Sequence, residues 1–265
     1  MNNRRVFTIM NKEWAEVFKN RMVVFTIAIM PIIFTFMPLG ILYAIGSTGG
    51  MPEGAPADVP PAFLSSCEGL PGADCMQIFI MNQFLLMFMM MPLFIPTAIA
   101  SYSIVGEKTT RSLEPLLATP ITTTELLTGK AMAAALPAIV ITWICFLVFM
   151  LLMPLAGATQ GLMAYVRGPI WMIAVFVIGP LMAVAAVNLA VIVSSRVNDP
   201  RVAEQISGVL IVPLLGVLFG QMAGLVIINQ SLMLTSILVM LLIDAALIYA
   251  GTNLFQRETI LTRWK

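Results

Sequence analysis

Residues 78–101 read IFIMNQFLLMFMMMPLFIPTAIAS without one charged side chain, and by residues 106–130 the chain has turned polar: GEKTTRSLEPLLATPITTTELLTGK. An apolar run of that length matches an α-helix crossing about 30 Å of hydrocarbon, which takes roughly 20 residues. Five more such runs occupy residues 22–46, 131–155, 169–193, 206–225 and 232–255. They are continuous rather than alternating, which excludes a transmembrane barrel, so helices are left to satisfy the backbone in lipid. Composition agrees: the chain is 60% hydrophobic and 10% charged, with mean hydropathy +0.97. A soluble domain would carry about 25% charged residues.

The predicted fold class is therefore an all-α integral membrane protein with six transmembrane helices. One transmembrane domain spans residues 1–265, with the spans in 22–255, an outer loop at 47–77 and an inner polar segment at 106–130. Placing both termini in the cytoplasm puts every Lys and Arg except Arg167 on the inner side, as the positive-inside rule favours. The outer loop then carries Glu53, Asp58, Glu68 and Asp74. The first apolar run exceeds the core of a cleavable signal peptide and has no A-x-A-like site, so it reads as a retained span.

Residues 1–21 read as an amphipathic interfacial helix. Val6, Ile9, Met10, Trp14, Val17 and Phe18 recur at helical spacing, with Arg5, Asn11, Lys12, Glu16, Lys19 and Asn20 on the other side. A basic flank that only fixes topology is the plainer reading. Cys67 and Cys75 share the outer loop, where an oxidising exterior favours a disulfide; two separate outer thiols are the alternative. Cys145 reads as a small packing residue within the third span.

In the polar segment, Leu113, Leu116 and Leu117 lie among charges of both signs, and Pro115 and Pro120 predict a short helix with a turn. Apolar anchors inside a polar rim are the chemistry of a docking surface. Glu107, Lys108, Arg111, Ser112, Leu113, Glu114, Leu116, Leu117, Thr119, Pro120, Ile121, Thr122, Glu125, Leu126, Gly129 and Lys130 together resemble the signature of the type 2 ATP-binding-cassette exporter permeases.

The resemblance implies the membrane subunit of a transporter in a prokaryotic plasma or inner membrane. Its partners would be a cytoplasmic ATP-binding subunit, a second permease copy or a paralogue, and membrane lipid, with no nucleic acid. ATP and magnesium would sit on the partner subunit and no cofactor on this chain. Glu107, Lys108, Arg111, Leu113, Glu114, Leu116 and Leu117 would form the ATPase-docking element, and Arg196, Asp199, Arg201 and Glu204 in a second inner loop at 194–205 would add contacts.

The residues themselves exclude several chemistries. No G-x-x-x-x-G-K-[ST] loop is present to cradle phosphates. The sequence has no histidine, which removes imidazole general bases and the usual His-bearing metal sites. Met87, Met90 and Met91 recur at helical spacing; thioethers suit Cu(I), but methionine is also a flexible apolar filler.

Within the spans, Asp244 is the one acid, expected either to pair with a polar neighbour such as Asn188 or to act in transport. Asn82 and Gln83 carry the same ambiguity near an outer end. Gly216, Gly220 and Gly224 form a doubled G-x-x-x-G, expected to pack helices closely at a permease dimer or within one subunit. Residues 220–231 combine glycine and amides in a pattern that allows a re-entrant segment. Two further readings remain: a secondary transporter or channel using Asp244, and a non-transporting anchor or assembly component.

Topology is directly testable. In a Cys-free background, single cysteines at Thr123 and Ser195 are expected to label only from the cytoplasmic side, and those at Ser65 and Thr159 only from outside. External labelling at Thr123 overturns the six-span arrangement.

Overall fold

A computed structural model describes residues 2–47, 72–109 and 122–254, and among these every regular element is helical. Six stretches are long and apolar enough to cross a membrane: Val23–Gly46, Asp74–Ser103, Thr124–Ala156, Gln160–Arg196, Pro200–Met222 and Gln230–Thr252. Cys67, Arg111, Leu113, Glu114, Leu116 and Leu117 lie outside the described residues.

Helix α1 (Asn3–Lys19) precedes α2 (Arg21–Ser47), the first crossing. The second, α3 (Gly72–Thr109), has 38 residues. At 1.5 Å per residue it is about 57 Å long, well beyond the roughly 30 Å of a bilayer core. It therefore tilts, or carries its last turns, with Glu107 and Lys108, out of the hydrocarbon. Helix α3 is also the centre of the bundle, packing on α2, on α4 (Thr123–Leu152), and on α7 (Gly179–Arg196). It is apolar on all sides, as a helix surrounded by protein should be.

Lipid tails are as apolar as the side chains they meet, so close packing must hold such helices together. On α7, Ala183, Ala186, Val187 and Ala190 recur three and four apart and are fully buried, which lets neighbouring backbones approach. Larger side chains fill the space between α3, α4 and α6 (Pro169–Ile173). Trp171 stacks against Phe146 at 6.0 Å and 15° and against Phe149 at 5.8 Å and 17°. Phe88 meets the Trp171 ring edgewise at 6.1 Å.

Two segments differ from the expected continuous spans. The fourth crossing starts with a separate helix, α5 (Gln160–Val166), and widens to a π-helix over Ala174–Ile178. Pro180 follows, lacking an N–H and crowding the carbonyl four residues back, so the ladder shifts to longer spacing. Trp143 Nε1 donates to the Val175 carbonyl in that segment at 3.2 Å. The fifth crossing begins earlier than residue 206, because α8 (Pro200–Ser207) runs through a short 3-10 turn into α9 (Ile211–Met222). Asp199 caps α8, its carboxylate accepting from Arg201 N at 2.8 Å. The expected inner loop at 194–205 is thus mostly helix, with only residues 197–199 between α7 and α8. The sixth crossing, α10 (Gln230–Leu254), packs on α7.

Trp171→Ala empties the middle of the aromatic stack and should cost about 3 kcal/mol, while Trp171→Phe retains most of the contact. Thermal unfolding in one detergent should rank the three proteins in that order; equal stability of Trp171→Ala and wild type would show that the stack contributes little.

Candidate functional site

The local sequence explains α1. Asn2 caps it, its side chain accepting from Arg4 N at 3.1 Å. Val6, Ile9, Met10, Glu13 and Val17 form its buried face, spaced for one helical stripe. That face packs on α4, while Phe7 and Phe18 stay exposed. Gly129 makes the close approach possible: a Cβ there would lie 2.8 Å from Ile9 Cγ2.

Glu13 is an acid in the middle of an apolar stripe, only 2% exposed. Lys130 Nζ donates to Glu13 Oε1 at 2.7 Å and to Ser103 Oγ at 2.8 Å. The Ser103 hydroxyl donates to Glu13 Oε2, closing a triangle that joins α1, α3 and α4. Lys130 and Ser103 are 6% and 8% exposed, so the pair is shielded from water. Burial alone pushes the Glu13 carboxyl up. Burial is the largest single influence, but the Lys130 charge, the hydrogen bonds from Lys130 and Ser103, and the charge of Lys12 together outweigh it and hold the carboxyl below its ordinary 4.5.

A second tie lies nearer the start of α4. Thr122 and Glu125 form a capping box: Glu125 N donates to Thr122 Oγ1 at 3.2 Å and Thr122 N to Glu125 Oε2 at 3.1 Å. The same carboxylate accepts from Asn2 N at 2.8 Å and lies 3.5 Å from the Arg5 guanidinium. Further along, Trp14 Nε1 donates to the Ala133 carbonyl at 2.8 Å. Asn2 with Glu125, Ile9 with Gly129, Glu13 with Lys130, and Trp14 with Ala133 run in the same order along both helices. The clamp closes on the two helices that flank residues 110–121.

The family model described as ABC-2 family transporter protein matches residues 7–259. The chain belongs to this family. No curated protein is matched. The match covers all six crossings, so this ABC-2 chain is a multi-pass membrane protein of a transporter family.

Three residues of the polar signature in this ABC-2 chain face inward. Glu125, Gly129 and Lys130 seat α1 rather than presenting a surface. Sequence reasoning missed Glu13 and the Thr122–Glu125 cap, although an acid on an apolar stripe calls for a buried partner and a [ST]-x-x-[DE] box opens the third crossing. Ser103 had no comparable signal.

The other expected sites are dispersed. Asn82 Oδ1 accepts from the Tyr165 hydroxyl at 2.7 Å, a structural contact, whereas both amide atoms of Gln83 are buried without a partner. The expected pairing of Asn188 with Asp244 does not form. Asn188 donates to Val184 O of its own helix at 2.8 Å, and Asp244 Oδ1 is buried unpartnered. The doubled glycine motif is broken, because α9 ends at Met222 and Gly224 lies in the following turn at φ 71°, a left-handed conformation suited to glycine. A Cβ on Gly220 would meet Val226 Cγ2 at 2.9 Å, so that space holds the turn; one on Gly216 meets nothing within 4 Å. Leu225 N and Val226 N both donate to Gly220 O, and residues 223–229 are a connection rather than a re-entrant helix. Cys75 is disulfide-bonded and Cys145 is a free thiol. Met90 and Met91 are core residues, and among the described residues no His/Cys/Asp/Glu group is arranged to hold a metal.

A buried pair costs most when one partner is removed, about 3–5 kcal/mol, and little when both become apolar. Glu13→Met or Lys130→Met alone should lower thermal stability and open the α1–α2 junction to protease, and the double variant should regain most of the loss. Additive losses would remove the pairing. Because the folded carboxyl titrates below its unfolded value, its stabilisation is complete above pH 4.5 and drains away as pH falls through the folded value.

Proposed function

We propose that this chain is the membrane subunit of an ABC exporter, driven by a separate cytoplasmic subunit that binds ATP and magnesium. In this reading the partner docks on the segment built from Glu107, Lys108, Arg111, Leu113, Glu114, Leu116 and Leu117. A second permease copy or a paralogue completes the pathway, in a prokaryotic plasma or inner membrane. The observation that carries the reading is the Glu13–Ser103–Lys130 triangle. Displacement of residues 110–121 by a docked subunit must load α3 and α4 together, and the triangle passes that load to α1. An isolated surface loop would dissipate the same motion.

Glu114→Lys or Leu116→Asp places an unpaired charge at a desolvated contact and should weaken association by about 2 kcal/mol or more, over tenfold in Kd. Both variants should insert normally, fail to co-purify with the ATP-binding subunit, and lose substrate-stimulated ATP turnover. Unchanged association in both would sink the docking assignment. The buried, unpartnered Asp244 Oδ1 favours one competing reading, a proton or ion site. Asp244→Asn in the same assay separates the two, since ATP-driven turnover persists under the exporter reading and transport stops under the other.

A further inference from the structure

The fifth and sixth crossings are the least covered by the rest of the chain: 17% and 11% of their apolar windows are buried, against 72% for the second. Helix α9 packs chiefly on α3, and α10 chiefly on α7. Between these two pairs lies a cavity of about 350 Å³, lined by side chains that include Leu86 and Met89 of α3, Met182 of α7, Val217 of α9, and Met240 of α10. Thr235 and Val239 also line it and are exposed, Val239 by 52%, so it opens sideways toward the hydrocarbon phase.

The lining chemistry restricts the occupant. No charged residue lines the cavity, and Asp244, the residue after Ile243 of the wall, is not part of it. Its hydroxyls are already committed: Thr235 donates to the Ser231 and Leu232 carbonyls, and Ser236 to Leu232 O at 2.7 Å. A charged or donor-rich ligand would be desolvated there without compensation. The end remote from α1 differs. Gln221 lies one turn beyond Val217 on the stripe Leu214, Val217, Gln221; it is 3% exposed and both its amide atoms lack a partner. A buried amide in that state is uncommon and costly.

We propose that this cavity binds the alkyl chain of a single-chain amphiphile with an uncharged, hydrogen-bonding head, which enters between α9 and α10 and is held at its head by Gln221. The alkyl chain matches the apolar lining, and a hydroxylated head supplies partners that the Gln221 amide lacks. Such binding does not depend on ATPase coupling.

The test uses the full-length protein in lipid nanodiscs without ATP and monolauroylglycerol carrying a diazirine at the chain end, with crosslinks mapped by mass spectrometry. Saturable labelling is expected within residues 210–217 and 228–243. Val217→Trp fills the cavity and should reduce labelling about tenfold, the equivalent of about 1.4 kcal/mol; Met240→Phe, filling it from the opposite wall, reads the same effect if the first variant does not fold. Leu238→Trp, at a position 61% exposed and not part of the lining, should change nothing. Gln221→Leu should weaken labelling by monolauroylglycerol but not by a diazirine-bearing dodecane. Three results overturn the proposal: labelling unaffected by both cavity-filling variants, unsaturable labelling spread over Phe219 and Leu242 as from bulk lipid, or no labelling because a second copy of the chain fills the space.

Discussion

The contact between Lys130 and Glu13 governs this architecture, because it is where an otherwise peripheral helix becomes part of the transmembrane bundle. An ammonium and a carboxylate 2.7 Å apart, shut away from water, add little stability compared with a well-packed apolar pair. Their value lies in specificity. Helix α1 could slide along α4 on its apolar stripe alone, but every shifted register leaves one buried charge unmatched. Ser103 adds α3 to the same requirement, so three helices share one alignment.

The sequence made the apolar runs and their number legible, since hydrocarbon thickness imposes a length that few other structures satisfy. It also disclosed the amphipathic stripe of α1 and the unusual polarity of 106–130. Boundaries were less visible where helices continue past the membrane: α3 reaches Thr109 and α8 begins at Pro200, because polar residues can extend a helix that lipid does not define. The glycine motif misled for a related reason. Spacing four apart assumes a helix, and Gly224 instead takes the left-handed conformation that ends one. Side-chain partnerships across more than a hundred residues, such as Asn2 with Glu125, depend on how helices pack, which local periodicity does not specify.

The candidate site was legible in composition but not in division of labour. The polar signature reads as one surface, yet Glu125, Gly129 and Lys130 serve internal contacts. Gly129 illustrates why: without a side chain it admits Ile9, whereas any larger residue would separate α1 from α4 and draw Glu13 away from its cation. A residue kept small for packing and one kept charged for pairing look alike in a polar string, and only the neighbour across the interface distinguishes them.

Glu13 and its lysine are separated by 117 residues, and this distance sets an order of assembly. At 5–20 residues per second, a ribosome takes on the order of ten seconds to deliver Lys130 after Glu13 has emerged. During that interval α2 and α3 are made while the Glu13 carboxylate has only the exposed Lys12 beside it. An acid without its buried partner is held in water by its own hydration, so α1 stays undocked through the synthesis of two crossings. The third crossing then brings the cation, and docking of α1 becomes a late event in biogenesis that records whether α3 and α4 have arrived side by side.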